Sequence, residues 1–249
     1  ADLTLDGCVM ILKGSSLKVK STATSSPVLT LTNGGKVVVS VSADTGAVGA
    51  ISAVSASYGL NIDIVQGTLE LDGGTLRDVA QDSTTDAALL IGDGATLKMM
   101  DGATIYGASA NSDEMATVQV NGGTVNIADS SIVNTGQTGT ALWVESSGGN
   151  INDIIVKNAA VGIQSYNGAP QVDGFTSQGN TVGVGAYGGM SLPSIYRSTI
   201  LSGASAGWET YQIDLSTYLG TGDYLQVGAN SIFGGGNAHP SYNYATSKY

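Results

Sequence analysis

One short phrase, written many times over, constrains this chain more than any other feature. "VQVNGGTVNIADSSI", Val118 to Ile132, holds an alternating apolar pair, a small Gly-bearing turn, a second alternating pair and a third apolar site. Related phrases are "IDIVQGTLELDGGTL", "LLIGDGATLKMMDGATI" and "LWVESSGGNINDIIV". Alignment on the second apolar residue before the turn gives Ile11, Leu31, Ile64, Ile91, Val120, Val144, Ile163 and Val184, each with an apolar partner two residues earlier. The intervals run from 19 residues (Val144 to Ile163) to 33 (Leu31 to Ile64). Self-similarity at such a period marks an array of one structural unit.

Taken alone, Asn-Gly-Gly between alternating runs reads as a β-hairpin. The repetition changes that reading. Second pairs follow most turns: Leu17 and Val19, Val37 and Val39, Leu69 and Leu71, Leu97 and Met99, Val125 and Ile127. Third sites follow as Leu76, Ile105, Ile132, Ile154 and Phe175. Three short strands per pass are the arithmetic of a single-stranded parallel β-helix, an all-β solenoid. Each strand alternates inward and outward residues, and Gly allows the sharp bend at a corner. A sandwich or propeller of hairpins would need more uniform strand and turn lengths. Ile64, Ile91, Val120, Val144 and Ile163 are expected to form one inward column. The surplus residues of the longer passes are expected to leave the coil as loops, in "SADTGAVGAISAVSASYG", "RDVAQDSTTDA" and "YGASANSDEMA". Within the first, "AVGAISAVSA" is expected to pack over an apolar face or cap an end.

Composition sets the class of partner. Apolar residues make up 42 % of the 249, so the chain has material for a core despite its 36 glycines. Charged residues make up only 12 %, against about 25 % in an ordinary domain. The net charge is −11, and nine Lys and Arg are spread over the whole length. Phosphate backbones and anionic membranes need clustered cations, so nucleic acid is excluded as a partner. No apolar run approaches the roughly 20 residues of a spanning helix, which argues against direct membrane insertion. The single cysteine, Cys8, sits in "CVMIL" and is expected to be a buried thiol. "LTLDGCVMILKG" enters the repeat at once, and such an uncovered rung is expected to belong to a fragment of a larger solenoid or to abut another domain or subunit.

Past about Met190 the pattern changes. The β-helix is assigned to residues 1–200, and 201–249 is a divergent flanking segment. About half of the aromatics lie there, from Trp208 to Tyr249. The segment is expected to cap the open end of the coil. Alternatively, exposed Trp208, Tyr211, Tyr242 and Tyr244 form a carbohydrate-stacking or docking surface.

Catalytic signatures are sparse. His239 is the only histidine and has no Ser or Cys nucleophile at a recognisable spacing. No Cys/His set suits zinc, and no Gly-x-x-x-x-Gly-Lys loop suits phosphate. The carboxylates are more informative. Asp101 and Asp129 each lie five residues past an aligned threonine, Thr96 or Thr124, with Asp72 one position short of that site and Asp153 two short. Stacked corners about 4.8 Å apart place Asp101 and Asp129 to share Ca²⁺ as hard oxygen ligands, or to act as an acid/base pair on a glycoside. Asp also suits such corners on backbone grounds alone, because it tolerates the left-handed region.

With its coil assembled, the chain resembles the right-handed parallel β-helix superfamily, the pectin-lyase-like fold, over roughly residues 3–200. The resemblance rests on the rung period and implies a right-handed coil. Enzymes of that fold use Asp clusters with Arg, Lys or His on one face. Here Arg77 and Arg197 are the only arginines, and the Asn-Thr-Asp, Gly-His-Gly and Arg-Ile-Lys strings of polygalacturonases are missing. In its Gly/Ser/Thr/Asn-rich, acidic composition the chain looks more like β-helix segments of large prokaryotic cell-surface proteins, archaeal ones included. That likeness implies an extracellular or cell-surface scaffold or interaction domain without catalysis, adhesive or glycan-binding. Its partners would be glycans and neighbouring domains or copies of a larger surface protein. The alternative is a carbohydrate-active enzyme, a polysaccharide lyase or glycoside hydrolase.

Overall fold

The structure, a computed structural model, describes residues 3–20, 28–54, 59–80, 87–107, 116–135, 139–145, 148–166, 171–180, 182–187, 194–196, 199–202, 213–214, 232–234 and 240–241. All regular structure among them is β-strand, and each strand pairs in parallel with its counterpart one pass earlier or later. The expected parallel β-solenoid is therefore the observed fold.

Its first pass consists of three strands, β1 (Leu3–Asp6), β2 (Val9–Lys13) and β3 (Ser16–Val19). Each starts one face of the coil. The first face is a ten-stranded ladder that runs from β1 through Leu29–Thr32, Ile62–Ile64, Ala87–Ile91, Ala116–Asn121 and Thr140–Glu145 to Pro240–Ser241. The second face starts at β2 and continues through Gly35–Ser40, Gly67–Asp72 and Thr96–Met100. The third starts at β3 and continues through Ala50–Ala53, Thr75–Val79 and Thr104–Gly107. Two long strands, Thr124–Asn134 and Gly148–Lys157, run through the corner and serve both of these faces. Short strands at Ile213–Asp214, Ile232–Gly234 and Pro240–Ser241 continue the ladders into the C-terminal segment. The rest of that segment lies outside the described residues.

The core is a set of apolar columns parallel to the coil axis. On the first face Leu31, Ile64, Ile91, Val120 and Val144 are in register. On the second, Leu12, Val39, Leu71, Met99, Ile127, Ile151 and Val172 are. On the third, Leu17, Ile51, Leu76, Ile105, Ile132 and Val156 are. From the second pass onward these side chains have at most 1 % exposure. Burying each is worth about 1.5–3 kcal/mol, and alternation repeats that gain on every pass. Close stacking also dictates residue type at the corners. Gly67 lies directly over Gly35, and a Cβ there would drive into the Gly35 carbonyl oxygen.

Register corrects four details of the sequence reading. Val144 pairs with Ser165, while Ile163 continues the adjacent column from Leu142. The two positions are two residues apart on one strand, so a period of two hides a slip of two. Ile11 belongs to the second face, opposite Val38, and Leu5 is the true partner of Leu31. Val9 and Ile11 point outward, 63 % and 64 % exposed, while Met10 and Leu12 pack on the core. "VMIL" is apolar at every position, so it carries no alternation of its own. For the same reason Cys8 is exposed at the corner before β2. Third, Val156 rather than Ile154 continues the Ile132 column. Finally, Ala50–Ala53 is not a loop over the coil but a rung of it, with Ile51 fully buried.

Candidate functional site

The corner between the second and third faces gathers the carboxylates. Asp101, Asp129 and Asp153 all have left-handed backbone, with φ of 56°, 43° and 48°. Ala128 pairs with Asn152, which puts Asp129 and Asp153 in line one pass apart. Asn152 pairs in turn with Asp173, so Gly174 with φ 77° follows them in the same line. Gly73, with φ 63°, precedes them. The backbone conformation is thus the common feature of this column. Asp and Gly are the residues that accept it at least cost. Asp153 is in line rather than two positions short.

Asp72 does lie one position short, opposite Met100. Its carboxyl is held above the ordinary 3.8, first by partial burial, then by a hydrogen bond with the Asp101 carboxyl, then by the negative charges of Asp101 and Glu70. Two carboxyls in such contact favour retention of one proton between them. The outer surface of the second face supplies the compensating charge. Lys36 Nζ lies 2.9 Å from Glu70 Oε2, and Lys98 is the register neighbour of Glu70 on the next pass. The result is a strip of alternating charge, Lys36, Glu70 and Lys98, with the Asp72–Asp101 pair at its corner. A composition scan misses this pairing. Register supplies it, because Glu70 and Lys98 occupy one outward position in successive passes.

On later passes the columns of this strip turn neutral. Thr68, Thr96 and Thr124 follow Lys36 in one column, and Asn126 and Asn150 follow Glu70 and Lys98 in the other. On the third face Thr104 Oγ1 and Ser131 Oγ are 3.1 Å apart, and Arg77 lies 4.9 Å over the Tyr106 ring. On the first face the half-buried Trp143 sits in an outward column between Gln119 and Gln164. The aromatics Trp208, Tyr211, Tyr242 and Tyr244 lie outside the described residues. Among the described residues, no group of three or more His, Cys, Asp or Glu is arranged to hold a metal ion. Asp101 and Asp129 alone supply two side chains to a cation that takes six to eight oxygens.

The chain matches no protein-family model, no curated protein and no solved structure.

Proposed function

We propose that this chain is a non-catalytic scaffold or interaction domain of a secreted or cell-surface protein, a right-handed β-helix that presents flat polar faces to glycans or neighbouring domains. The handedness is the one that crossovers between parallel strands adopt. The observation that carries the proposal is the set of outward Thr, Ser and Asn columns, which repeat at the coil spacing over successive passes. Threonines on three successive passes suit an extended polyhydroxylated chain, because each of those passes offers a hydroxyl at the same place about 4.8 Å further along. No helix among the described residues is long and apolar enough to cross a membrane. The likeness to pectin-lyase-like coils and to prokaryotic surface β-helices belongs to this proposal too.

A second reading, a carbohydrate-active enzyme, has one observation in its favour: the Asp72–Asp101 carboxyl pair beside Lys36 and Lys98. A proton held between two carboxyls is a potential general acid. One experiment separates the two. The protein is screened on a glycan array with and without millimolar Ca²⁺, and hits are assayed for release of reducing ends. The scaffold reading expects binding without turnover, and the same melting curve in Ca²⁺ and in EDTA. Turnover lost in Asp101→Asn would establish the enzyme instead. A Ca²⁺-dependent rise in melting temperature, lost in Asp129→Asn, would give the corner a metal role.

A further inference from the structure

The third face departs from the acidic character of the molecule. One of its outward columns runs Lys18, Ser52, Arg77, Tyr106, Val133 and Lys157. Thr104, Ser131 and Ile155 stand beside the last three, on the same strands. Tyr106 and Ile155 are among the exposed large apolar side chains, and half-buried Val133 adjoins both. Three consecutive passes thus carry an apolar strip on the outside of the coil, with Arg77 at one end and Lys157 at the other. In a chain of net charge −11 cations have acids to choose from. Yet the only ion pair among the described residues is Lys36 with Glu70. Asp78, next to Arg77 in the chain, lies in the bulge opposite Tyr106 with φ 60° and makes no ion pair with it. Arg77 lies instead over the Tyr106 ring, 4.9 Å from its centroid. A guanidinium stacked on a ring keeps its N–H edge free for bidentate contact with a carboxylate.

We infer that this strip docks an extended acidic segment of a partner protein, laid along the coil axis with an acid, an apolar residue and an acid at alternate positions. Charge defines the ends of the occupant, since two cations without acids are matched by two carboxylates. Spacing defines its form. Arg77 and Lys157 are three passes apart, about 14 Å at about 4.8 Å per pass, and an extended chain covers that distance in about four residues. Residues i and i+4 of such a segment share one side with i+2, which then faces Tyr106 and Val133. The surface between the cations favours a peptide over a glycan. Val133 and Ile155 are branched aliphatic side chains with nothing to bond a sugar hydroxyl, whereas an apolar side chain gains by covering them. The acidic corner of a second copy fits poorly. Asp101, Asp129 and Asp153 place an acid on every pass, so that corner would also press carboxylates onto Tyr106 and Val133.

Fluorescence anisotropy of the full chain with a fluorescein-labelled, C-amidated peptide, Gly-Glu-Thr-Leu-Thr-Glu-Gly, tests the docking. Binding is expected with a dissociation constant below about 1 mM, and it should weaken as salt rises. Arg77→Glu and Lys157→Glu should each raise that constant about fivefold or more. Lys13→Glu, the same charge change at the end of β2, should leave it unchanged. An unchanged melting temperature shows that each variant keeps its fold. Glutamine for both peptide glutamates, or serine for its leucine, should also weaken binding. A peptide with lysine at both acidic positions should bind the Arg77→Glu, Lys157→Glu double variant better than it binds the parent chain. No binding up to about 1 mM, or an affinity indifferent to both substitutions, overturns the inference. So does a heparin oligosaccharide that binds where the peptide does not and is lost in Arg77→Glu, which would make the strip a site for anionic glycans. None of these results touches the threonine columns of the second face, on which the proposed function rests.

Discussion

Leu12 and Leu71 occupy the same column of the second face, two passes apart, yet they live in different surroundings. Leu71 is fully buried between Val39 and Met99. Among the described residues Leu12 has Val39 on one side only, and it remains partly exposed. The local pattern is alike, but burial is not, because in a solenoid each layer is covered by its neighbours rather than by its own pass. A strand in the middle gets two walls; a strand at the end gets one.

This contrast predicts unequal responses to equal changes. The largest is a buried charge. Val120→Asp should abolish cooperative folding, because the carboxylate has fully covered apolar residues above and below it. Leu5→Asp, on the first pass of the same face, should leave a folded protein with a lowered melting temperature, since Leu5 is already partly exposed and its carboxylate can reach water. Circular dichroism melts of both variants check this. Equal damage at both sites would mean that the end layer is as enclosed as the middle.

Cavity formation should follow the same order at smaller scale. Leu71→Ala should cost about 2–5 kcal/mol in urea titration, the range of enclosed sites. Leu12→Ala should cost less than half as much in dilute solution.

The smallest effect concerns the corner carboxyls. The folded protein keeps a proton on Asp72 that the unfolded chain has released, because the group is held above 3.8 by burial, by its bond to Asp101 and by neighbouring negative charge. Stability from this proton is complete below about pH 3.8 and is lost as pH rises through the higher folded value. Asp72→Asn should therefore flatten the pH dependence of stability just above pH 3.8. Unfolding curves for both proteins across that interval check the sign. A variant that gains pH sensitivity there would contradict it.

Most of the coil was legible from residue types. Leu69, Leu71, Leu97, Met99, Val125 and Ile127 alternate cleanly with polar residues, so their face and their register both follow. The sequence reading went astray where alternation fails. "VMIL" is apolar throughout and takes its face from Val37 and Val39, which lie 27 residues further on. Ser165 breaks an apolar column, and a search for apolar residues steps past it to Ile163. The corner aspartates were legible as a spacing, but not as a backbone state. The Asp72–Asp101 contact depends on which side chains lean together across two passes, and no linear pattern encodes that.

The parallel coil is most directly tested by one cross-linking comparison in a Cys8→Ser background. Asn126 stands beside Lys98 of the preceding pass. In a hairpin closed by the Asn-Gly-Gly turn it would instead stand across from Gln119. The solenoid predicts that Lys98→Cys with Asn126→Cys oxidises readily to an intramolecular disulfide, while Gln119→Cys with Asn126→Cys stays reduced under the same conditions. The opposite outcome, a bond from 119 to 126 and none from 98 to 126, would contradict the parallel coil and every register drawn from it.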